Sequence, residues 1–387
     1  MLLERGRVGE TWARQYQGLR LHVLAGAATL PGMSWPSATE RFPSASAMTS
    51  YLRGYAERFA LDVREGVTVE RTARVGDGHE TAAAAVGGRA PAVRDNAPGW
   101  RLDTDRGPWR TERLVMATGI WSAPVEPPFP GRETFVGRAL HVSAYRGPDE
   151  LAGARVLVVG LGNSGKDVAL AAAEVGASAT VAVRDGALLV PYPNVLTQHT
   201  GELLRRVPPR LADALLRRLR REPVEYGLRW LSGPPTQAYP VVGLELLAAL
   251  RAGRVGLKPA MTAYTATGAR FADGSEASFD VIVLCTGYRP ALDTVAAHVA
   301  FDEAGGVRTD ASGVRAIGVP GLYLVGYRYP TLESWLQRWR RETPQMAQHI
   351  ARDAAAAEPL RPATGVLQAD AAPARPRRRR TLRLEIR

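Results

Sequence analysis

Residues 155–184 read RVLVVGLGNSGKDVALAAAEVGASATVAVR, and the architecture follows from this stretch. A short apolar run, Val156 to Val159, stops at Gly160, Gly162 and Gly165. An Ala-rich segment of helical character follows, and a second apolar run from Thr180 to Val183 closes the unit. The order is strand, tight turn, helix, strand. Gly160 permits the sharp turn, Gly162 lets the backbone approach a pyrophosphate, and Gly165 lets the helix pack closely on the strand. The first N–H groups of that helix have no partners inside it, so with the helix dipole they receive an anion. The GxGxxG spacing alone is weak evidence, because such loops arise in ordinary turns. Its place between a strand and a helix makes it a dinucleotide site.

The second strand decides which dinucleotide. An NAD-type site needs Asp or Glu near the end of that strand to hold the ribose 2′-hydroxyl, whereas here the strand ends in Arg184. A guanidinium suits a 2′-phosphate through charge and paired hydrogen bonds. The reading is NADPH, with NADH kept open by the neighbouring Asp185.

A chain of 387 residues has room for two or three domains, each with its own core. Apolar content of 45% and charged content of 23% are those of an ordinary globular protein, not of a disordered or fibrous one. No uninterrupted apolar run approaches the ~18 residues of a membrane span, and MLLERGRVGE has no signal-peptide core. A cytoplasmic protein is expected. The single cysteine, Cys285, excludes an internal disulfide and the CxxC pair of a flavin disulfide reductase. Within the run VIVLC it reads as a small buried hydrophobe. The net charge of +12 owes +6 to residues 371–387, with seven Arg and one Glu, which leaves +6 for the other 370 residues. A solvated basic tail, rather than a nucleic-acid or membrane site, is expected, and no metal-ligand cluster stands out.

Taken in order, MLLERG reads as the end of a second strand of a dinucleotide unit, with Glu4 at the ribose position. The first strand, its glycine turn and its helix would then lie before Met1. Residues 16–43 are punctuated by Pro and Gly, alternate Leu19, Leu21 and Val23, and carry aromatic residues suited to lining a pocket. A helix capped at Ser46 is expected next, with Met48, Leu52, Tyr55 and Phe59 on its core face. Residues 74–98 lack periodicity and read as a surface excursion. Leu114 to Gly119 is a strand ending in a small-residue turn, and the proline-rich WSAPVEPPFPGRETF is an extended crossing. Residues 200–250 are richer in helix, with Leu211, Leu215, Leu216 and Leu219 sharing a face. Strands return at 255–284, with Asp273-Gly274 as a hairpin turn. A strand in GLYLVGY at 321–327 precedes a last helix from Leu332 to Asp353.

The fold class is therefore α/β, with two nested Rossmann-like dinucleotide-binding domains and the first strand-turn-helix missing. The expected division is 1–118 and 285–357 for an outer dinucleotide domain, which the resemblance given next makes the FAD domain, 119–149 for a linker, 150–284 for an inserted NADPH domain, and 358–387 for a disordered Arg-rich tail.

GLGNSGKD at 160–167, FVGRALHVSAY at 135–145, MATG at 116–119 and LCTGYRP at 284–290 occur together and in order. The combination resembles the class B flavin-containing monooxygenases, in the branch of the plant indole-3-pyruvate monooxygenases and their bacterial relatives. Phe135, Gly137, His141 and Tyr145 fit that family's FxGxxxHxxx(Y/F) signature, and the match spans residues 1–355. The resemblance implies an FAD- and NADPH-dependent monooxygenase in which a C4a-hydroperoxyflavin passes one atom of O₂ to a small nitrogen, sulfur or carbonyl (keto-acid) substrate. It implies that Gly160, Gly162, Asn163, Ser164, Gly165 and Asp167 hold the NADPH pyrophosphate region and that Arg184 faces the 2′-phosphate. It places Glu4 on the FAD ribose, Thr11 and Trp12 beside the flavin nucleotide, and Thr118, Gly119, Thr286, Gly287 and Gly326 among the cofactor contacts. His22, His141 and Tyr145 are its candidate catalytic residues, and His141 reads equally as a structural histidine of the linker. LRLH at 19–22 fits the plant branch, although Leu24-Ala25 follows where that branch commonly has Pro-Lys.

Two other classes stay open on sequence. One is a non-catalytic NADP-binding protein, because FAD is expected to bind poorly without the first glycine motif. The other is an uncoupled NADPH oxidase that shares every motif.

Overall fold

The computed structural model describes residues 1–75, 99–195, 197, 200–219, 227–228, 232–302, 306–327 and 335–356. Among them are seven α-helices: α1 Glu10–Ala13, α2 Ala45–Arg58, α3 Asn163–Glu174, α4 Thr200–Arg205, α5 Pro209–Leu219, α6 Glu245–Arg251 and α7 Trp335–Ala356.

The glycine-motif strand, Arg155–Val159, sits in the middle of a five-stranded sheet. The spatial order is Val255–Pro259, Ser178–Val183, Arg155–Val159, Val281–Leu284 and Arg138–His141, and every pairing is parallel. A parallel sheet is covered on both faces, so its strands are apolar throughout and successive residues feed different cores. Val156 and Val158 pack with Val168, Ala169 and Ala172 of α3 and with Leu246 and Ala249 of α6. Leu157 and Val159 point the other way, toward Met261, Tyr264, Ala269 and Phe271. These last residues belong to a small antiparallel meander, Met261–Thr265, Gly268–Phe271 and Glu276–Ser278. Gly274, with φ of 79°, turns its second hairpin, at the expected Asp273-Gly274 pair. The FVGRALHVSAY stretch does more than link: its Arg138–His141 is an edge strand of this sheet, in register with Val281–Leu284.

A separate core gathers Trp100, Leu102, Leu114, Met116, Ile120, Leu292, Val295, Leu322 and Leu324. Here Leu322–Leu324 pairs in parallel with Leu114–Met116, and Leu2–Glu4 pairs in parallel with Val63–Glu65. Val69–Val75, Gly99–Thr104 and Trp109–Thr111 form an antiparallel sheet beside them. Ala123–Pro124 in the proline-rich crossing pairs antiparallel with Tyr288–Arg289 as a two-stranded ribbon, where Pro is tolerated.

Two expectations need correction. The cap of α2 is Ser44, whose hydroxyl accepts from Ala47 N at 3.1 Å, and the buried face is Ala45, Met48, Thr49 and Tyr51, while Phe59 is exposed. In α5 the buried stripe runs through Ala212 and Leu216, and Leu211 is 60% exposed, so the four leucines do not share a core face. The last helix begins at Trp335 among the described residues and contains Pro344. Residues 76–98 of the expected excursion and the expected tail lie outside the described residues.

Leu157 has no exposed surface and is contacted on its own face of the sheet by a meander that cannot easily collapse. Leu157→Ala is expected to cost about 2–5 kcal/mol. Urea unfolding followed by tryptophan fluorescence measures it, and a change below 1 kcal/mol would refute the two-faced sheet.

Candidate cofactor and active site

The crevice of an open parallel sheet lies at the carboxyl ends of its strands, where the strand order reverses. Here that point is between Arg155–Val159 and Val281–Leu284, the strands followed by Gly160 and by Cys285-Thr286-Gly287. The backbone is crowded there. A Cβ on Gly160, whose φ is 102°, would lie 2.7 Å from the Cys285 carbonyl oxygen, and one on Gly165 would lie 2.1 Å from the Gly160 carbonyl oxygen. Gly162 is the opposite case: a Cβ there would meet nothing within 4 Å. Gly162 also caps α3 without a side-chain hydrogen bond, so the first N–H groups of the helix face open space. Cradle, room and unpaired donors together fit a pyrophosphate.

Around the cradle the polar side chains divide. The amide of Asn163 is already spent, donating to the Pro240 carbonyl at 3.0 Å and accepting from Val242 N at 2.8 Å. It staples α3 to the Val241–Val242 strand. Asp167 points away from the open end of the helix and accepts from Tyr16 OH and Lys166 Nζ, with His22 Nε2 3.7 Å away. Burial would raise its carboxyl, but the His22 contact and the Lys166 charge outweigh it and hold the group below the usual range. Arg184 is exposed at the end of Ser178–Val183 and makes no ion pair among the described residues. Asp185 turns elsewhere: its carboxylate accepts from Gly186 N at 2.8 Å and from Ser232 Oγ at 2.6 Å, and these bonds keep it ionised. The acidic side chain that left NADH open is thus engaged with the 232 loop.

His141 is 3% exposed, and both ring nitrogens are occupied. Nε2 donates to the Gly287 carbonyl at 3.0 Å, while Nδ1 accepts from Ser143 N at 3.1 Å. Burial pushes its pKa down, so the ring is neutral and ties the Arg138–His141 strand to the loop after Val281–Leu284. Tyr145 is 1% exposed and packs on Tyr16, ring centroids 5.6 Å apart. Burial pushes its hydroxyl up to about 12. The His141 ring has no free nitrogen, whereas the Tyr145 hydroxyl is buried with no hydrogen-bond partner among the described residues. Cys285 is buried, and burial pushes its thiol far up, as the expected small hydrophobe requires.

Most of the other candidate cofactor residues lie at strand ends. Glu4 closes Leu2–Glu4 and accepts from Gly6 N at 2.8 Å. Thr11 and Trp12 lie on α1. Thr118 and Gly119 follow Leu114–Met116, and Gly326 follows the parallel Leu322–Leu324. Thr118 Oγ1 lies 2.6 Å from Tyr327 OH and donates to the Ala291 carbonyl at 3.0 Å. Thr286 Oγ1 donates to the Val125 carbonyl and Gly287 accepts from Val125 N. The sequence reading did not single out Tyr16, Lys166 or Tyr192. Lys166 carried a signal, as one of only two lysines among 50 basic residues.

A family model described as flavin-binding monooxygenase-like matches residues 112–300. The indole-3-pyruvate monooxygenase YUCCA8 of Oryza sativa subsp. indica is 31% identical over 83% of this chain and 78% of its own length. YUCCA1 of Oryza sativa subsp. japonica is 32% identical over 84% and 80%. The chain belongs to the flavin-binding monooxygenase-like family. It is an NADPH- and FAD-dependent monooxygenase, a flavoprotein oxidoreductase acting with O₂ on a small molecule. The fold agrees: a flavin-containing monooxygenase from Stenotrophomonas maltophilia superposes with a TM-score of 0.63 at 23% identity, over 90% of this chain and 91% of that one. An NADP⁺-bound cyclohexanone monooxygenase from Rhodococcus sp. Phi1 does so with 0.61 at 18% identity, over 89% and 78%. No helix among the described residues is long and apolar enough to cross a membrane.

The glycine geometry separates two kinds of defect. Gly165→Ala forces α3 off its strand, so this monooxygenase should lose both NADP⁺ binding and about 1–3 kcal/mol of stability. Gly162→Ala adds its methyl to open space and should leave the melting temperature within about 2 °C while weakening NADP⁺ at least about tenfold. Calorimetric titration and thermal melts of both variants check this; equal melting losses in the two would contradict it.

Proposed function

We propose that this monooxygenase oxygenates an α-keto acid carrying an aromatic side chain. The observation that carries the reading is the 31% identity, across 83% of the chain, to relatives named indole-3-pyruvate monooxygenases. The 16–43 segment supports it. Trp35 stacks on Tyr51 at 4.1 Å, close to Met33, Trp12 and Leu30, and the Trp35 Nε1 is buried with no partner among the described residues. Such an aromatic wall with an unspent donor suits a flat aromatic ligand with a polar group.

The residues divide the work as follows. The cradle Gly160, Gly162 and Gly165, the first N–H groups of α3 and the Ser164 hydroxyl receive the NADPH pyrophosphate. Arg184 receives the 2′-phosphate, and Glu4 the FAD ribose. Thr11, Trp12, Thr118, Gly119, Thr286, Gly287 and Gly326 shape the flavin side. Asn163 acts one step removed, holding α3 against Val241–Val242. His141 holds the strand and loop that frame the crevice, with Tyr145 packed behind, and His22 is the acid–base candidate. Held by these residues, nicotinamide would supply a hydride and flavin the route of its electrons to O₂, while the protein would position both and exclude water. We assign 150–284, together with the edge strand Arg138–His141 of its sheet, to the NADPH domain, inserted between 1–118 and 285–357 of the FAD domain with the rest of 119–149 as the linker, and we place the enzyme in the cytoplasm.

Two measurements test this reading. With an aryl-substituted α-keto acid, NADPH oxidation should accelerate and one ¹⁸O atom from ¹⁸O₂ should enter the product per NADPH consumed; full recovery of electrons as H₂O₂ would overturn the substrate assignment. Arg184→Ala removes a charged hydrogen-bond donor worth about 1.5–3 kcal/mol. It should raise the KM for NADPH by about tenfold to a hundredfold and leave that for NADH unchanged. An equal change for both cofactors would refute the role of Arg184.

A further inference from the structure

The Asp167 carboxylate is shared by three groups from two distant parts of the chain. Oδ1 accepts from Lys166 Nζ at 3.1 Å, whereas Oδ2 accepts from Tyr16 OH at 3.0 Å and faces His22 Nε2 at 3.7 Å. Lys166 is 1% exposed, and its remaining hydrogens go to the Val242 carbonyl at 2.6 Å and to Tyr192 OH at 3.2 Å. A buried ammonium has only donors, so it fixes which carboxylate oxygen it holds. The other oxygen is thereby turned to Tyr16 and His22.

The tautomer of His22 follows from this. At 3.7 Å the pair is an electrostatic contact rather than a direct hydrogen bond, and the ionised carboxylate favours the hydrogen on the nitrogen that faces it, Nε2, which leaves Nδ1 as the lone pair. Nδ1 has no partner among the described residues, and the side chain is 20% exposed, packed edge-on against Tyr192 at 6.2 Å. An imidazole with a half-buried carboxylate on one side and its other nitrogen open has the geometry of a proton acceptor.

We propose that Asp167 is a positioning residue, oriented by Lys166, which holds His22 as the Nε2–H tautomer so that Nδ1 is the proton acceptor beside the nucleotide helix. The use of that acceptor in turnover rests on the oxygenation reading above; the tautomer does not. Asp167 thus serves a different end from the pyrophosphate contact that its place in the glycine motif suggests.

The test is ¹⁵N spectroscopy of the full chain labelled at histidine, with His22→Gln identifying the His22 signals. The wild-type ring is expected as Nε2–H. In Asp167→Asn, Lys166 takes the amide oxygen and turns the NH₂ toward Tyr16 and His22. The ring then has to accept at Nε2, so its hydrogen moves to Nδ1 and the two nitrogen shifts exchange. Turnover should fall by about a hundredfold or more, with the KM for NADPH changed less than about threefold. Asp167→Glu should keep the Nε2–H tautomer and recover part of the rate. A wild-type Nδ1–H ring, or a folded Asp167→Asn that keeps the original tautomer, overturns the proposal. Should Asp167→Asn fail to fold, the wild-type and Asp167→Glu spectra decide. Correct tautomers in an enzyme that oxidises no aryl keto acid would refute the substrate reading alone.

Discussion

The contact between the backbone of Gly165 and the Gly160 carbonyl sets the position of everything around it. With 2.1 Å between that oxygen and any added Cβ, α3 can lie against its own strand only if residue 165 has no side chain. The same crowding recurs between Gly160 and the Cys285 carbonyl, which brings the end of Val281–Leu284 to the mouth of the turn. From this one approach follow the direction of the helix, the aim of its unpaired N–H groups, and the places of Lys166 and Asp167 one turn along it. Replacing these backbone contacts with side-chain contacts would move the helix N-terminus away from the anion it serves.

Around that point the protein separates apolar from polar work. The central sheet is apolar on both faces, with helices on one and the antiparallel meander on the other, and it provides a rigid floor. Polar side chains at the crevice are mostly committed: Asn163 to Val242 and Pro240, His141 to Gly287 and Ser143, and Asp185 to Ser232. Each links segments far apart in sequence, so a family signature such as the His141 stretch acts here by holding loops in place. Burying a neutral, fully bonded imidazole costs little, which is why His141 can sit at 3% exposure.

Charge is treated differently at Lys166 and Asp167. An ammonium with 1% exposure survives only because carbonyl, hydroxyl and carboxylate surround it. Burial works against the ionised form of both residues, and their mutual attraction, with His22 beside Asp167, tips both back to charged. Such a pair contributes little net stability, but it has one orientation. That directionality is what an apolar pair in its place would lack, and it reaches Tyr16 and His22 from a helix of the nucleotide unit.

What the sequence by itself determined are the local units: the strand, glycine turn and helix at 155–174, the turn at Asp273-Gly274, the apolar runs of the parallel sheet, and the buried character of Cys285. Each depends on residues close in the chain, where backbone conformation and periodicity leave a readable pattern. The cap of α2 at Ser44 rather than Ser46 and the exposure of Leu211 are misread for the same reason, since serines at 44 and 46 and leucines along α5 satisfy the local pattern equally. Only the tertiary structure decided what the polar side chains do. Asn163 and Asp167 stand four residues apart in one motif and both look like phosphate contacts. Yet one bonds to residues 240 and 242, while the other accepts from Tyr16 and faces His22. A carboxylate's partners are set by which distant segments packing brings within about 3 Å, and sequence spacing carries no record of that distance.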